Sequence, residues 1–258
     1  MRMRTLSSCL ALSLACLLAA QPAAARSAGD YLGDVRDYAL APLHWDADDW
    51  SRAGIAAAAV AAAYSVDGRV REHFVAGGVP AGRDPHSLRD AAPLLALTAG
   101  TYAIGKLRHD DGTASIGVDM AEATALGLLS STVLKAATGR DRPNETVSRS
   151  AWGEGGDSFP SGHATAAFAA AQVFVDRMPR EAWGWRVLAY GLAGATVYAR
   201  LDGNVHWFSD TVAGAALGMA TGRFVSGRRG HDSRPSRVTM AVAPLEHGAM
   251  LNFAVRTD

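Results

Sequence analysis

Apolar residues fall into six long runs along the chain, and polar segments separate one run from the next. Most runs are longer than a typical strand and rich in alanine and leucine, two residues that favour helix. We therefore predict an all-α protein, a helical bundle of about six core helices. The predicted helices span about residues 52–66, 91–106, 113–137, 161–178, 183–200 and 206–224.

The polar segments between these runs predict loops. Residues 67–90 contain four glycines and two prolines, so we expect a loop there, with at most one short helix. Residues 144–157 are polar and rich in glycine, and they form the longest loop near the candidate chemistry. Residues 26–50 are mixed, and we expect a solvated lead-in whose aspartates, between residues 46 and 49, cap a helix rather than bind a metal.

The two ends of the chain differ from its helical middle. Residues 1–25 combine Arg2 and Arg4 with an apolar run and a small-residue cleavage site, which is typical of an export signal. The segment 226–237 is basic and predicts a linker, and the residues from 238 to 256 predict a β-hairpin. The expected division is a signal peptide (1–25), a helical domain (26–225) that holds the candidate chemistry, and a linker with a hairpin (226–258).

Composition narrows the class of protein. Hydrophobic residues make up 49% of the chain and charged residues 19%, which allows a large core and argues against disorder. The formal net charge is zero, so charge gives no support to nucleic acid binding. Both cysteines, Cys9 and Cys16, lie in the signal segment, so the mature domain is expected to depend on packing rather than disulfides.

The apolar helices are compatible with two cellular locations, the periplasm and the inner membrane. Mean hydropathy is only +0.04, and Asp119 and Glu122 interrupt the third helix, which opposes a membrane-spanning bundle. We therefore favour an exported, periplasmic domain, soluble or associated with a membrane surface. The alternative is an integral inner-membrane protein with an outward-facing site, in which Arg177, Arg180 and Arg186 would be cytoplasmic, as the positive-inside rule expects.

Candidate chemistry first appears at His206 and Asp210, which are spaced i, i+4 and would share one face of a helix. A carboxylate in that position can hold one imidazole nitrogen and leave the other as a nucleophile. A surface ion pair on an ordinary helix would have the same spacing, so the pair alone decides nothing.

A second cluster runs from Ser158 through Pro160, Ser161 and Gly162 to His163. It has the character of a helix start, where free backbone N–H groups at Ser161 and Gly162 would bind an anion. His163 would lie beside that anion as a general acid. The bland alternative is a capped helix with a solvated histidine.

The third cluster is basic. Lys135 and Arg142 are seven residues apart, two turns if the helix extends that far, so both charges could reach one oxyanion. Arg200 could close the same pocket. Arg140 is off this spacing, and we assign it no role. A solvated basic helix end is the alternative for this cluster.

Taken in order, the clusters are Lys-x6-Arg-Pro, Pro-Ser-Gly-His and Arg-x5-His-x3-Asp. This pattern resembles the three-part signature of the type 2 phosphatidic acid phosphatase superfamily, which includes bacterial acid phosphatases and vanadium haloperoxidases. The resemblance covers about residues 50–225. The family usually has Ser where this chain has Ala199, which removes one hydroxyl contact but no charge, nucleophile or proton donor.

The resemblance implies specific roles. His206 would attack phosphorus and form a phosphohistidine, oriented by Asp210, and His163 would protonate the leaving oxygen and later activate water. The phosphate-binding residues would be Lys135, Arg142, Ser161, Gly162 and Arg200. No metal or other cofactor is expected, and no metal-ligand spacing occurs in the sequence.

Three enzyme functions and one non-catalytic function remain open from the sequence. We expect a metal-independent phosphatase acting on phosphomonoesters or diphosphates, with a phosphorylated small molecule or lipid as substrate. The alternatives are an integral-membrane lipid phosphatase, a vanadium-dependent haloperoxidase, and a helical scaffold that retains the motifs without activity. The sequence defines no oligomeric state.

Overall fold

The computed structural model describes residues 28–78, 90–179 and 181–229, together with the backbone of two later segments. Its described helices confirm the predicted all-α class. They are α1 (Ala28–Leu40), α2 (Ala47–Val75), α3 (Ala92–Leu107), α4 (Asp111–Thr138), α5 (Gly162–Arg177), α6 (Trp183–Asp202) and α7 (Phe208–Arg229), with a 3-10 turn at Ala41–His44.

Some predicted segments fall outside these residues. They are the signal peptide of residues 1–25, residues 79–89 of the expected loop and residues 230–237 of the linker. Beyond the helices, Val238–Leu245 and Gly248–Val255 have extended backbones in antiparallel register, with Val238 opposite Val255. The hairpin stays a prediction, because its turn residues and all of its side chains lie outside the described part.

Three helical stretches were not predicted. The loop expected at 67–90 is wrong over residues 67–75, because α2 continues to Val75. The lead-in at 26–50 contains α1, although its aspartates do cap a helix: Asp46 and Asp49 form a capping box at the start of α2. The linker expected from 226 is likewise helical to Arg229. In these stretches, charged side chains such as Asp34 and Asp67 are buried in ion pairs. The sequence pattern alone predicts that such side chains are solvated, so it predicts loops there.

The core is formed mainly by α4, α5 and α7. Ten residues of α5 are buried, and five of them are alanines, so its neighbours can approach closely. On α4, Asp119 and Glu122 are buried against protein, at 0% and 5% exposure. Among the described helices, none combines the length and the apolar character needed to cross a membrane.

Three glycines one turn apart on α7 allow its closest contact with α5. A Cβ atom on Gly214 would lie 2.5 Å from the Ser161 carbonyl oxygen, and one on Gly218 would lie 2.3 Å from that of Thr165. A Cβ atom on Gly222 would meet the side chain of Gln172 at 2.6 Å. These distances are far below van der Waals contact, so the packing requires glycine there. This contact, which we call the glycine seam (Gly214, Gly218 and Gly222), places the start of α5 beside the start of α7.

Candidate active site

The two basic residues of the first motif converge through a loop rather than along one helix. Gly139 adopts a left-handed conformation with φ of 54° and ends α4 close to the predicted residue 137, so the condition for a two-turn spacing of Lys135 and Arg142 is not met. The ammonium of Lys135 donates to the carbonyl oxygen of Asp157, and Arg142 Nε donates to Asp157 Oδ1 at 2.8 Å. Asp157 therefore brings both cations to the same place.

His206 lies at the centre of this arrangement and is only 3% exposed. Its Nε2 atom is 3.2 Å from Arg142 Nη1. A guanidinium can only donate, so this contact requires the lone pair on Nε2 and the proton on Nδ1. Burial lowers the pKa of His206 well below its usual value, and the charges of Arg142, Lys135, Arg200 and His163 lower it further. The imidazole is therefore neutral near pH 7.

Asp210 faces the other side of that imidazole. Its Oδ2 atom is 3.6 Å from His206 Nδ1, within ion-pair reach but beyond a hydrogen bond. The helix α7 begins at Phe208, so the expectation that both residues share one helix is wrong. Asp210 instead reaches back to accept the backbone N–H of Trp207 at 2.8 Å, as an acidic residue in a helical first turn often does.

Asp210 has further hydrogen-bond donors. Ser158 Oγ donates to its Oδ2 at 2.5 Å, and Arg140 Nη1 donates to its Oδ1 at 2.6 Å. Burial raises the pKa of Asp210, while the charge of Arg140 and the Ser158 hydrogen bond act in the opposite direction. These donors favour the ionised form of a fully buried carboxylate.

The start of α5 differs in detail from the expected anion site. The backbone N–H of Ser161 donates to the carbonyl oxygen of Asp210 at 2.9 Å, so its expected anion contact is wrong. The Ser161 hydroxyl, however, is buried and has no hydrogen-bond partner among the described residues. Gly162 lies next to Lys135, since a Cβ built on it would be 4.0 Å from Lys135 Cε. The first-turn N–H group of Gly162 has no acceptor within the helix.

The other sequence-predicted residues are also near His206. His163 and Arg200 both contribute to the low pKa of the His206 imidazole. Arg200 is fully buried, and its Nη1 atom donates to Asp90 Oδ2 at 2.5 Å. Burial and the nearby Arg142 charge lower the pKa of Lys135 to about 7. Within the described ranges, no group of three His, Cys, Asp or Glu residues is arranged to hold a metal ion.

Sequence reasoning missed two residues of this site. Arg140, to which we assigned no role, is fully buried and pairs with Asp210 and with Asp67 Oδ2 at 2.8 Å. Its guanidinium also lies 4.5 Å from the ring of Trp152. Asp67 belongs to the stretch expected to be a loop. A single acid that follows directly on the apolar run of residues 53–66 was the signal that could have identified it.

Comparison with known proteins finds similarity over the part of the chain that contains the three motifs. Residues 116–230 match the model of the PAP2 superfamily. A protein of Porphyromonas gingivalis named lipid A 1-phosphatase is 38% identical over 85 residues, which are 33% of this chain and 17% of the relative. This chain therefore matches less than a fifth of the length of that relative.

A crystal structure offers a weaker likeness. It is described as the first transmembrane PAP2 type phosphatidylglycerolphosphate phosphatase from Bacillus subtilis. The match covers 91% of this chain and all of the other, with 18% identity and a TM-score of 0.41, which is too low to carry an argument. The family match, over residues 116–230, includes all three motifs and agrees with the resemblance seen in the signature.

Proposed function

We propose that this protein is a metal-independent phosphatase that hydrolyses phosphomonoesters or diphosphates through a phosphohistidine on His206. The observation that carries the proposal is the state of that imidazole. It is buried and neutral, its lone pair is on Nε2, and Arg142 donates to that atom at 3.2 Å. A neutral nitrogen nucleophile beside fixed cations suits attack on a phosphoryl group.

The phosphoryl oxygens have several available partners. Lys135, Arg142 and Arg200 supply positive charge, and all three act electrostatically on His206. The hydroxyl of Ser161 and the first-turn N–H of Gly162 add neutral donors at the start of α5. Fixed donors in a buried site stabilise the charge of a phosphoryl transition state strongly, because they need not reorganise during the reaction.

The reaction has two steps. In the first, His206 Nε2 forms a bond to phosphorus while the bond to the leaving oxygen breaks, and His163 gives that oxygen a proton. The positive charge that develops on His206 is stabilised by Asp210, whose Oδ2 is 3.6 Å from Nδ1. In the second step, His163 removes a proton from water as the water oxygen attacks phosphorus, which breaks the phosphorus–nitrogen bond and releases phosphate.

We propose a phosphorylated lipid as the preferred substrate class. The support is the relative named lipid A 1-phosphatase, together with large apolar side chains exposed on α6. Trp183 and Trp185 are 71% and 58% exposed, and tryptophan is enriched where proteins meet a membrane surface. An exported, membrane-associated protein would meet such substrates. The proposal therefore includes an export signal at residues 1–25, and it keeps the C-terminal hairpin as a predicted element.

Phosphate release tests this function. Residues 26–258 would be assayed with EDTA, without and with detergent, on a soluble phosphomonoester, phosphatidate and a polyprenyl diphosphate. We expect release that is insensitive to EDTA, is lost in His206→Ala and is fastest with a lipid. Unchanged release by a folded His206→Ala protein would contradict the mechanism. Faster release from the soluble ester would contradict only the lipid preference, and halide oxidation with vanadate would favour a haloperoxidase.

A further inference from the structure

Asp210 belongs to a buried ion network that extends well beyond His206. The guanidinium of Arg140 bridges two carboxylates, donating from Nη1 to Asp210 at 2.6 Å and from Nη2 to Asp67 at 2.8 Å. The side chains of all three residues have no exposed surface. Burial of this kind is unfavourable unless every charge is paired, so the two acids and the arginine depend on one another.

Ser209 joins Asp67 to the start of α7. Its backbone N–H donates to Asp67 Oδ1 at 2.8 Å, and its hydroxyl donates to Asp67 Oδ2 at 2.7 Å. The same hydroxyl oxygen accepts from Arg140 Nη1 at 2.8 Å. Asp67 lies on α2 and Arg140 on the loop after α4, so the network ties three separate segments together immediately behind the candidate nucleophile.

The arrangement fixes the orientation of the Asp210 carboxylate. Arg140 holds Oδ1, and Ser158 and the Trp207 N–H hold Oδ2. As a result, Oδ2 is held 3.6 Å from His206 Nδ1. A carboxylate without the Arg140 contact could rotate about its last bond, since that torsion is broad and soft.

We propose that Arg140 and Asp67 are positioning residues of the phosphatase reaction, which hold the Asp210 carboxylate in the orientation that supports His206. This inference rests on the proposed function. Arg140 orients Asp210 directly, and Asp67 orients Arg140 and the first turn of α7. Neither residue touches the phosphoryl group.

The network also places charge beside the Asp210–His206 pair. Arg140 opposes the effect of burial on the pKa of Asp210, so its loss would raise the proton affinity of the pair. Loss of the negative charge of Asp67 would lower it. Other charged groups near the pair include Lys135, Arg142, Arg200 and His163, and none of them is substituted in these variants.

The test compares the acid limb of the kcat/KM profile in Arg140→Gln and Asp67→Asn. We expect Arg140→Gln to move the limb to higher pH by about one unit and Asp67→Asn to move it to lower pH. We also expect kcat to fall about 10- to 100-fold in Arg140→Gln with little change in KM, as when a residue that orients a reactive group is lost. Arg140→Lys keeps the positive charge, so we expect its acid limb to lie at the wild-type pH.

Arg149→Gln is the matched control. Arg149 lies on the same loop and also ties it to α2, donating to the carbonyl oxygens of Tyr64 and Ser65 at 3.0 and 2.8 Å, but its side chain contacts neither acid. We expect an unchanged profile. Folded Arg140→Gln and Asp67→Asn proteins whose limbs move in the same direction, or not at all, would overturn the proposal.

A second readout does not require activity. Spectra of protein labelled with ¹⁵N-histidine report the tautomer and the titration of His206, identified by its absence in His206→Ala. We expect Nδ1–H in the wild type and a higher pKa for His206 in Arg140→Gln. An unchanged titration in Arg140→Gln would overturn the positioning role, whether or not the wild-type protein releases phosphate. Absence of phosphate release with the expected titration would reject the phosphatase function but not the network.

Discussion

At the scale of single residues, the two lysines of the chain are a natural pair for comparison. Lys106 pairs with Asp111 at 3.0 Å, and its side chain is 36% exposed. Lys135 is buried beside Arg142, and its pKa is lowered to about 7. A pKa in this range makes the charge of Lys135, and so anion binding in the candidate phosphate pocket, depend on pH near neutrality.

We expect ¹⁵N-lysine spectra to show Lys135 titrating near pH 7, with Lys106→Arg identifying the other signal. Sulfate keeps its charge over this range, so it can serve as a probe. Bound sulfate would stabilise the ammonium form and raise the pKa of Lys135, and by linkage its affinity would weaken as the pH rises through 7, at most about tenfold per unit. A Lys135 pKa that sulfate leaves unchanged would remove this residue from the phosphate-binding set.

The residues at the centre of the site could be predicted because each has a recognisable chemical type at a recognisable spacing. His206, His163 and Lys135 were identified in this way. Arg140 could not be, because its importance comes from two carboxylates far away in sequence, Asp67 and Asp210. A one-dimensional pattern also could not show that the Ser161 N–H is occupied by the Asp210 carbonyl oxygen.

At the scale of helices, the glycine seam between α5 and α7 determines how closely two of the three motifs approach. We expect Gly218→Ala to lower the free energy of unfolding by about 1–3 kcal/mol, because its methyl group would meet the Thr165 carbonyl oxygen. Phosphate release should fall as well, since the helices that begin beside His163 and His206 would be forced apart. Urea denaturation and the phosphatase assay would measure both effects.

Gly194→Ala on α6 is the matched control. A methyl group there would have no atom within 4 Å, and the residue is exposed. The better helix propensity of alanine should raise the free energy of unfolding by up to about 1 kcal/mol, without an effect on activity. Equal effects of the two substitutions would show that the seam does not depend on close approach.

The apolar pattern predicted the core helices well, because α3 to α7 bury one side against each other. It failed where charged residues face inward. Asp34 on α1 is 3% exposed and forms an ion pair with Arg228 at 2.8 Å, and Asp67 on α2 is buried against Arg140. Both acids looked solvated in the sequence, so α1 and the last turns of α2 were taken for lead-in and loop.

At the scale of the whole molecule, the end of α7 completes the helical fold. Val225 is 1% exposed, and Arg228 pairs with Asp34 and with Asp37 at 3.0 Å. We expect residues 26–229 to retain the activity of residues 26–258. Truncation after residue 224 should lower the melting temperature, because it removes a buried valine and both ion pairs. Equal melting temperatures of the two truncated proteins would contradict this role of α7, and loss of activity in residues 26–229 would assign a function to the hairpin.

The central claim is that His206 carries the phosphoryl group between the two chemical steps. Rapid mixing with a ³²P-labelled substrate, followed by alkaline quenching and peptide mapping, tests it directly, because phosphohistidine survives alkali. We expect label on the peptide that contains His206, none in His206→Ala, and accumulation in a His163→Ala protein if substrate with a good leaving group is used. Turnover without any labelled histidine, or label on another residue, would contradict the account.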